Sequence, residues 1–291
     1  MEREYTLRHP VVSGLFYPDS EQDLSQAVDG YLEKVDRASL ARSIAEQTGF
    51  SDPLDLIPLA VVAPHAGYIF SGAVQAHSYA VLRDRAIDTA VVVGPAHQVS
   101  FKGLSVNLDN AFKTPLGNVE VDLEFAEALV AFDAHISQNE ESHLSEHAIE
   151  VQLPFIQRAL PKAKIVPILI GDQRWESSVL LKEAVAATLK KLERRCILIA
   201  STDLSHYHPH MEALELDRVL MNRLRKMDAE SLFSDIRAGG AEACGFGGII
   251  AGILLARELG RGKSAVLSYR DSGEVSGDRR RVVGYLSAVM Y

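Results

Sequence analysis

The sequence predicts an α/β fold, one domain with a central, mostly parallel or mixed sheet flanked by helices. Three observations carry that expectation. Short continuous apolar runs, Ala60-Val61-Val62-Ala63, Thr89-Ala90-Val91-Val92-Val93 and Cys196-Ile197-Leu198-Ile199-Ala200, read as strands buried on both faces. Stretches with helical spacing lie between them, giving the strand, helix, strand order of a parallel sheet. Each run also stops on a histidine-bearing turn: Pro64-His65, then Gly94-Pro95-Ala96-His97, then Ser201-Thr202-Asp203-Leu204-Ser205-His206. Ligand sites of open α/β sheets lie beyond the carboxyl ends of the strands, so these three junctions are expected to meet at one edge.

Residues 1 to 20 read as an irregular segment packed over the core by Phe16 and Tyr17. Ser20 is placed to cap one long helix from Gln22 to about Gln47, where Leu24, Ala27, Val28, Tyr31, Leu32 and Val35 keep helical spacing. After the strand ending at His65, Ser71 is expected to cap a helix through Leu82, ahead of the strand Thr89 to Val93. Short strands and turns from Gln98 to Val121 predict an excursion of the sheet or a hairpin flap. Asp122 then caps a helix through Phe132, and Gln138 to Ser145 reads as a polar loop. Glu146 to Leu160 is expected to be helical with a kink or break at Pro154. Lys164 to Ile170 and Cys196 to Ala200 are strands, whereas Trp175 to Leu192, Met211 to Met227 and Gly247 to Leu259 are helices. Strands Ser264 to Tyr269 and Arg281 to Met290 close the chain, joined through Asp271 to Asp278. With no repeat of fixed period and no linker, residues 1–291 form one expected unit.

Composition narrows the function classes. The 291 residues are 47% hydrophobic and 24% charged, which is ordinary for an ordered globular chain. A formal charge of -9 and pI near 5.6 argue against a nucleic-acid or anionic-membrane surface, both of which show a clustered basic excess. The run Arg279-Arg280-Arg281 is too short to reverse this. Two distant cysteines form no disulfide framework and suit a reducing cytoplasm. Met1 to Pro10 lacks the apolar core of a signal peptide, and Gly245 to Ala256 is far shorter than the roughly 18 to 20 residues a bilayer span needs. With neither a Walker motif nor a Gly-x-Gly-x-x-Gly after the first strand, no nucleotide cofactor is expected.

The chemistry concentrates at the strand ends. Neighbouring strands lie about 4.8 Å apart, so His65 and His97 can converge on one metal ion, although each also suits a structural hydrogen bond. Cys244 precedes the apolar helix, where the dipole and free amides favour a thiolate; it is a third metal ligand or a buried core residue. Cys196, inside a strand, is a plain core residue. Asp203 and His206 form an acid/base pair in which the carboxylate orients the imidazole, or Asp203 caps the next turn. His147 and Glu150 stand three apart on an expected helix face, as pocket residues or a solvated ion pair. Tyr68, with Phe70 and Tyr207, offers aromatic surface for a small molecule, a peptide or an anion, whereas His9, His77, His135, His143, His208 and His210 are assigned no role. The Ser272 to Asp278 loop reads as a turn between strands, or as an amide cradle for an anion.

Taken together, Pro64-His65-Ala66-Gly67-Tyr68, Gly94-Pro95-Ala96-His97, Glu146-His147-Ala148-Ile149-Glu150-Val151-Gln152-Leu153-Pro154-Phe155, Ser201-Thr202-Asp203-Leu204-Ser205-His206-Tyr207, Ala243-Cys244-Gly245 and Ser276-Gly277-Asp278 resemble the Memo family from about Gly14 to the end. That family is similar in fold to the class III extradiol dioxygenases, in which two histidines and a glutamate hold non-haem Fe(II) and a further histidine handles protons. The resemblance implies that His65 and His97 match the two family histidines, with Cys244 where the dioxygenases have their carboxylate and Asp203 and His206 as remaining pocket residues. A thiolate is softer than a carboxylate and favours copper, zinc or a differently tuned iron, so ring cleavage is not simply inherited. Animal members are linked to motility signalling, phosphopeptide binding and copper or iron handling. Prokaryotic members resemble one partner of a trio with an AMMECR1-like and a radical SAM protein, the context expected here. The expected function is a Fe(II)- or copper-dependent oxidoreductase of unknown substrate; a non-catalytic copper or iron protein and a peptide-binding module with a vestigial pocket are the alternatives.

Overall fold

The four strands at the centre of the molecule are built on the predominantly apolar runs of the sequence. In a computed structural model, which describes residues 4–291, Ala60–Ala63, Cys196–Ser201, Thr89–Pro95 and Lys164–Ile170 lie side by side in that order, all parallel. Every residue in them is buried except Lys164, as expected for strands covered on both faces. Antiparallel strands flank this core: Val282–Met290 beside Ala60–Ala63, and Leu104–Val106 beside Lys164–Ile170. His206–His208 and Ser264–Asp271 both pair with Val282–Met290, and Ile136–Ser137 closes the other end of the sheet. The expected hairpin flap is Ala111–Thr114 with Gly117–Glu120, joined by Leu7–Arg8 into a separate three-stranded sheet.

Helices cover both faces of the large sheet. Tyr68–Leu82 packs on one, with Glu21–Glu33 against its outer side; Phe246–Leu259 packs on the other beside Trp175–Leu192. One hydrophobic cluster runs through the strands and these inner helix faces. The register also places the chemistry. The strand ending at Ser201 lies between the two histidine-bearing strands, with Ala63 opposite Ser201 and Val93 opposite Ala200. His65 and His97 each sit two residues beyond their strands, facing each other across the Ser201 end.

Several local expectations are corrected. The long first helix is two, Glu21–Glu33 and Arg37–Thr48, because Asp36 caps the second by accepting from Ala38 and Ser39 N–H. The helix assigned to start at Ser71 starts at Tyr68, and the Ser71 hydroxyl donates back to the Ala66 carbonyl. The polar loop 138–145 contains the helix Glu140–Leu144, with Ser142 and His143 buried. The expected helix from Glu146 begins only as a 3₁₀ turn at Glu150–Gln152, followed by Leu153–Ala159 with Pro154 in its first turn, where a missing N–H costs nothing. An additional helix, Ala229–Arg237, follows His210–Arg225, and the 271–278 connection contains the short helix Gly273–Ser276.

Candidate metal centre

His65 leaves its strand through Pro64 and is buried at the sheet edge. Its main-chain N–H donates to the Asp203 carboxylate at 2.8 Å, and its ring Nδ1 lies 3.0 Å from Ser201 Oγ. Burial, reinforced by the neighbouring His147 and His97, holds the imidazole well below its ordinary pKa of 6.5.

His97 is held differently. Glu146 receives its Nδ1 at 2.9 Å and its main-chain N–H at 2.7 Å, and also accepts from His147 and Ala148 N–H, each at 2.8 Å. Burial works against a charge on His97, yet hydrogen bonds with Cys244 and Glu146 prevail and carry it to about 10. The Glu146 carboxyl, penalised by burial, is nonetheless held below its ordinary value by these bonds with His97. Gly94 permits the approach: a Cβ there would meet the Ala148 Cβ at 2.9 Å.

Cys244 arrives from the opposite face, just ahead of Phe246–Leu259. Its Sγ accepts from the Asp203 N–H at 3.3 Å while its own N–H donates to the Asp203 carbonyl at 3.2 Å. Gly245 must be glycine here, because a Cβ would lie 2.5 Å from the Ser201 carbonyl oxygen. The sulfur lies 3.3 Å from His65 Nε2, and one donor atom each from His65, His97 and Cys244 falls within 4.8 Å of the others.

These positions suit an ion. Metal to sulfur and nitrogen bonds of about 2.3 and 2.0–2.1 Å place the two donors about 3.1 Å apart at a right angle and about 3.6 Å apart at the tetrahedral angle. The observed sulfur to Nε2 separation lies between these values. His97, Glu146 and His147 form a second set within 4.8 Å. There the carboxylate already serves four donors, so we assign it to orienting His97.

The remaining expected site residues divide. His147 joins the cluster, its ring stacked 4.9 Å from His97 and edge-on 5.5 Å from His65, with Phe16 packed 5.0 Å behind it. Asp203 is buried, which raises its carboxyl to about 6 against the lowering effect of the His65 N–H. The expectation that Asp203 orients His206 is corrected: His206 Nδ1 donates to the Leu204 carbonyl at 2.7 Å. Beside it, Tyr207 is exposed, adopts a left-handed conformation with φ of 65° and lies 5.1 Å beneath the Arg281 guanidinium.

Glu150 and Tyr68, expected to line the pocket, have other partners. Without a helix at Glu146, His147 and Glu150 share no face, and the Glu150 carboxylate turns to Arg8, the Tyr17 hydroxyl and the Val11 and Val12 N–H groups. Tyr68 is buried among Tyr17, Tyr31 and Phe155, its hydroxyl donating to the Val151 carbonyl. Cys196 is a core residue as expected, its thiol pushed up to about 12 by burial. Glu146, Ser201 and Gln152 carry no role expected from sequence, although all three fall inside the histidine-bearing motifs. No helix among the described residues is long and apolar enough to cross a membrane.

The family model described as Memo-like protein matches residues 8–289. A MEMO1 family protein of Methanocaldococcus jannaschii is 37% identical over 98% of this chain and 99% of its own length. One from Methanococcus vannielii is 37% identical over 96% of this chain and 98% of its own, and one from Sulfurisphaera tokodaii is 35% identical over 97% and 98%. Similarity of this extent, running through every element that builds the histidine and cysteine cluster, makes the chain a member of the Memo family.

Proposed function

We propose that His65, His97 and Cys244 hold a redox-active metal, Fe(II) or copper, and that the chain is a metal-dependent oxidoreductase acting on a small organic substrate. The observation supporting this reading is the convergence of two imidazoles and one thiol within 4.8 Å beyond the parallel strand ends. Zinc also suits a His₂Cys donor set, but brings no redox chemistry of its own. When bound, an iron or copper ion with three protein ligands supplies electron transfer and an open position for oxygen or substrate.

The chain's own residues do the rest. Asp203 joins the two halves of the site, accepting from the His65 N–H through its carboxylate and from the Cys244 N–H through its carbonyl. Ser201 and Glu146 fix the rings of His65 and His97. His147, lying against both rings, and His206, whose Nδ1 is engaged by Leu204, are the groups that take up or release a proton during turnover; for His206 the exchanging atom is Nε2.

Metal analysis of protein purified without oxygen tests the site. We expect one ion per chain in the wild type and a loss of most of it in Cys244→Ala and in His97→Ala; unchanged metal content in both variants sinks the assignment. Oxygen uptake with catecholic substrates tests turnover. Bound metal with no oxygen consumption favours the second use of the same ligands, a copper or iron protein that holds its ion without catalysis.

A further inference from the structure

We infer that Ser201 and Gln152 lock His65 in the tautomer that leaves Nε2 bare, so that the ring is built as a ligand before any ion arrives. The purpose of this lock rests on the metal-centre reading; the lock itself rests on hydrogen-bond geometry. Ser201 Oγ lies 2.6 Å from the Ala148 carbonyl oxygen, 2.8 Å from Gln152 Nε2 and 3.0 Å from His65 Nδ1. A carbonyl oxygen only accepts, so the single hydroxyl proton of Ser201 goes to Ala148. What remains on Oγ is lone pairs.

The neighbouring amide cannot reverse this polarity. Gln152 Nε2 also lies 2.9 Å from the Pro64 carbonyl, which fixes it as the amide nitrogen and makes it donate to both Pro64 and Ser201. Its Oε1 accepts from Gln75 Nε2 at 2.7 Å and from the Tyr79 hydroxyl at 2.9 Å. Gln75 is oriented in turn by the Val151 carbonyl, 3.3 Å from the same nitrogen. Three main-chain carbonyls, of Ala148, Pro64 and Val151, therefore set the direction of every dipole in the chain. Facing an oxygen that has no proton to give, His65 Nδ1 must carry one, and its Nε2, 3.3 Å from the Cys244 sulfur, is the bare atom.

Burial makes the arrangement rigid. Gln75, Gln152 and Ser201 are wholly inaccessible, so no water can substitute for a misdirected group. Within this network of Ser201, Gln152, Gln75 and Tyr79, the unpartnered buried atom is Gln75 Oε1, at the end farthest from the ligand. Ser201 and Gln152 are thus positioning residues that act through His65. Their role parallels that of Glu146 at His97, with neutral dipoles in place of a carboxylate.

The deciding experiment is ¹⁵N NMR of His65 in the metal-free full chain, combined with cobalt(II) titration of the wild type and Ser201→Ala. Protonated Nδ1 and bare Nε2 in the wild type uphold the lock; a proton on Nε2, or on both nitrogens, overturns it. In Ser201→Ala we expect mixed tautomers and a cobalt affinity lower by about 10- to 100-fold. A purely structural role would lower stability but leave the ¹⁵N pattern and the affinity unmoved, and that result overturns the inference. If the variant does not fold, the wild-type spectrum decides alone. A wild type that has the expected tautomer but binds no cobalt upholds the lock and counts against the metal-centre reading, so the two failures are distinguishable.

Discussion

The two imidazoles that flank Cys244 are held by opposite means. His65 is buried and faces a chain of neutral dipoles through Ser201 and Gln152, whereas His97 keeps 28% of its side chain exposed and faces the Glu146 carboxylate. Their ionisation differs accordingly: burial depresses His65, while in His97 the opposing hydrogen bonds to Cys244 and Glu146 overcome burial. An uncompensated charge in a dry interior is costly, so the inner side orients its ring with groups that carry none. On the outer side the carboxylate is itself buried, and it is tolerable there because four N–H donors satisfy it.

The largest expected effect lies on the inner side. Gln152→Glu replaces an amide that donates to Pro64 and Ser201 with a carboxylate that can donate to neither, in a wholly buried position. Urea titration should show a loss of about 3–5 kcal/mol, the scale for an uncompensated buried charge. A loss below about 1 kcal/mol would erase the distinction between the two sides.

Asp217 is buried, with Oδ1 accepting from the Ser205 N–H at 3.0 Å and Oδ2 from the Tyr269 hydroxyl at 2.8 Å. Burial raises its carboxyl from 3.8 to about 6 despite these bonds. The folded chain therefore binds this proton more tightly than the unfolded one. The resulting stabilisation is fully present below pH 3.8 and is lost as pH rises through about 6, a change of about 3 kcal/mol. Unfolding measured from pH 4 to 7 should show this loss in the wild type and a flatter profile in Asp217→Asn; equal slopes would contradict it.

The exposed side should respond less in stability and more in binding. Glu146→Gln keeps one oxygen for four donors, so we expect about 1–2 kcal/mol of destabilisation. Zinc affinity by calorimetric titration should fall about 10- to 100-fold as His97 loses its partner. Unchanged affinity would remove Glu146 from the site.

What the sequence disclosed follows the same division. The ends of the apolar runs were legible because β-branched strands that stop on Pro64-His65 or Gly94-Pro95-Ala96-His97 announce both the strand and its cargo. Cys244 was legible because it precedes an apolar helix. The supporting groups were not. Ser201, Gln152 and Glu146 are ordinary polar residues whose significance depends on which carbonyls and rings the tertiary fold sets beside them. Glu150 was wrongly set on one face with His147 because their spacing suits a helix that begins only at the 3₁₀ turn, after the 146–149 segment has bent to serve His97. The break at Asp36 was hidden because apolar spacing continues across it through Leu32, Val35 and Leu40, all buried.

The central claim is that the inner and outer imidazoles close on one ion together with the Cys244 sulfur. X-ray absorption of the zinc-loaded protein tests it most directly. One sulfur at about 2.3 Å and two imidazole nitrogens at about 2.0–2.1 Å from the metal are expected. A coordination shell of nitrogen and oxygen alone, identical in the wild type and Cys244→Ala, would contradict it.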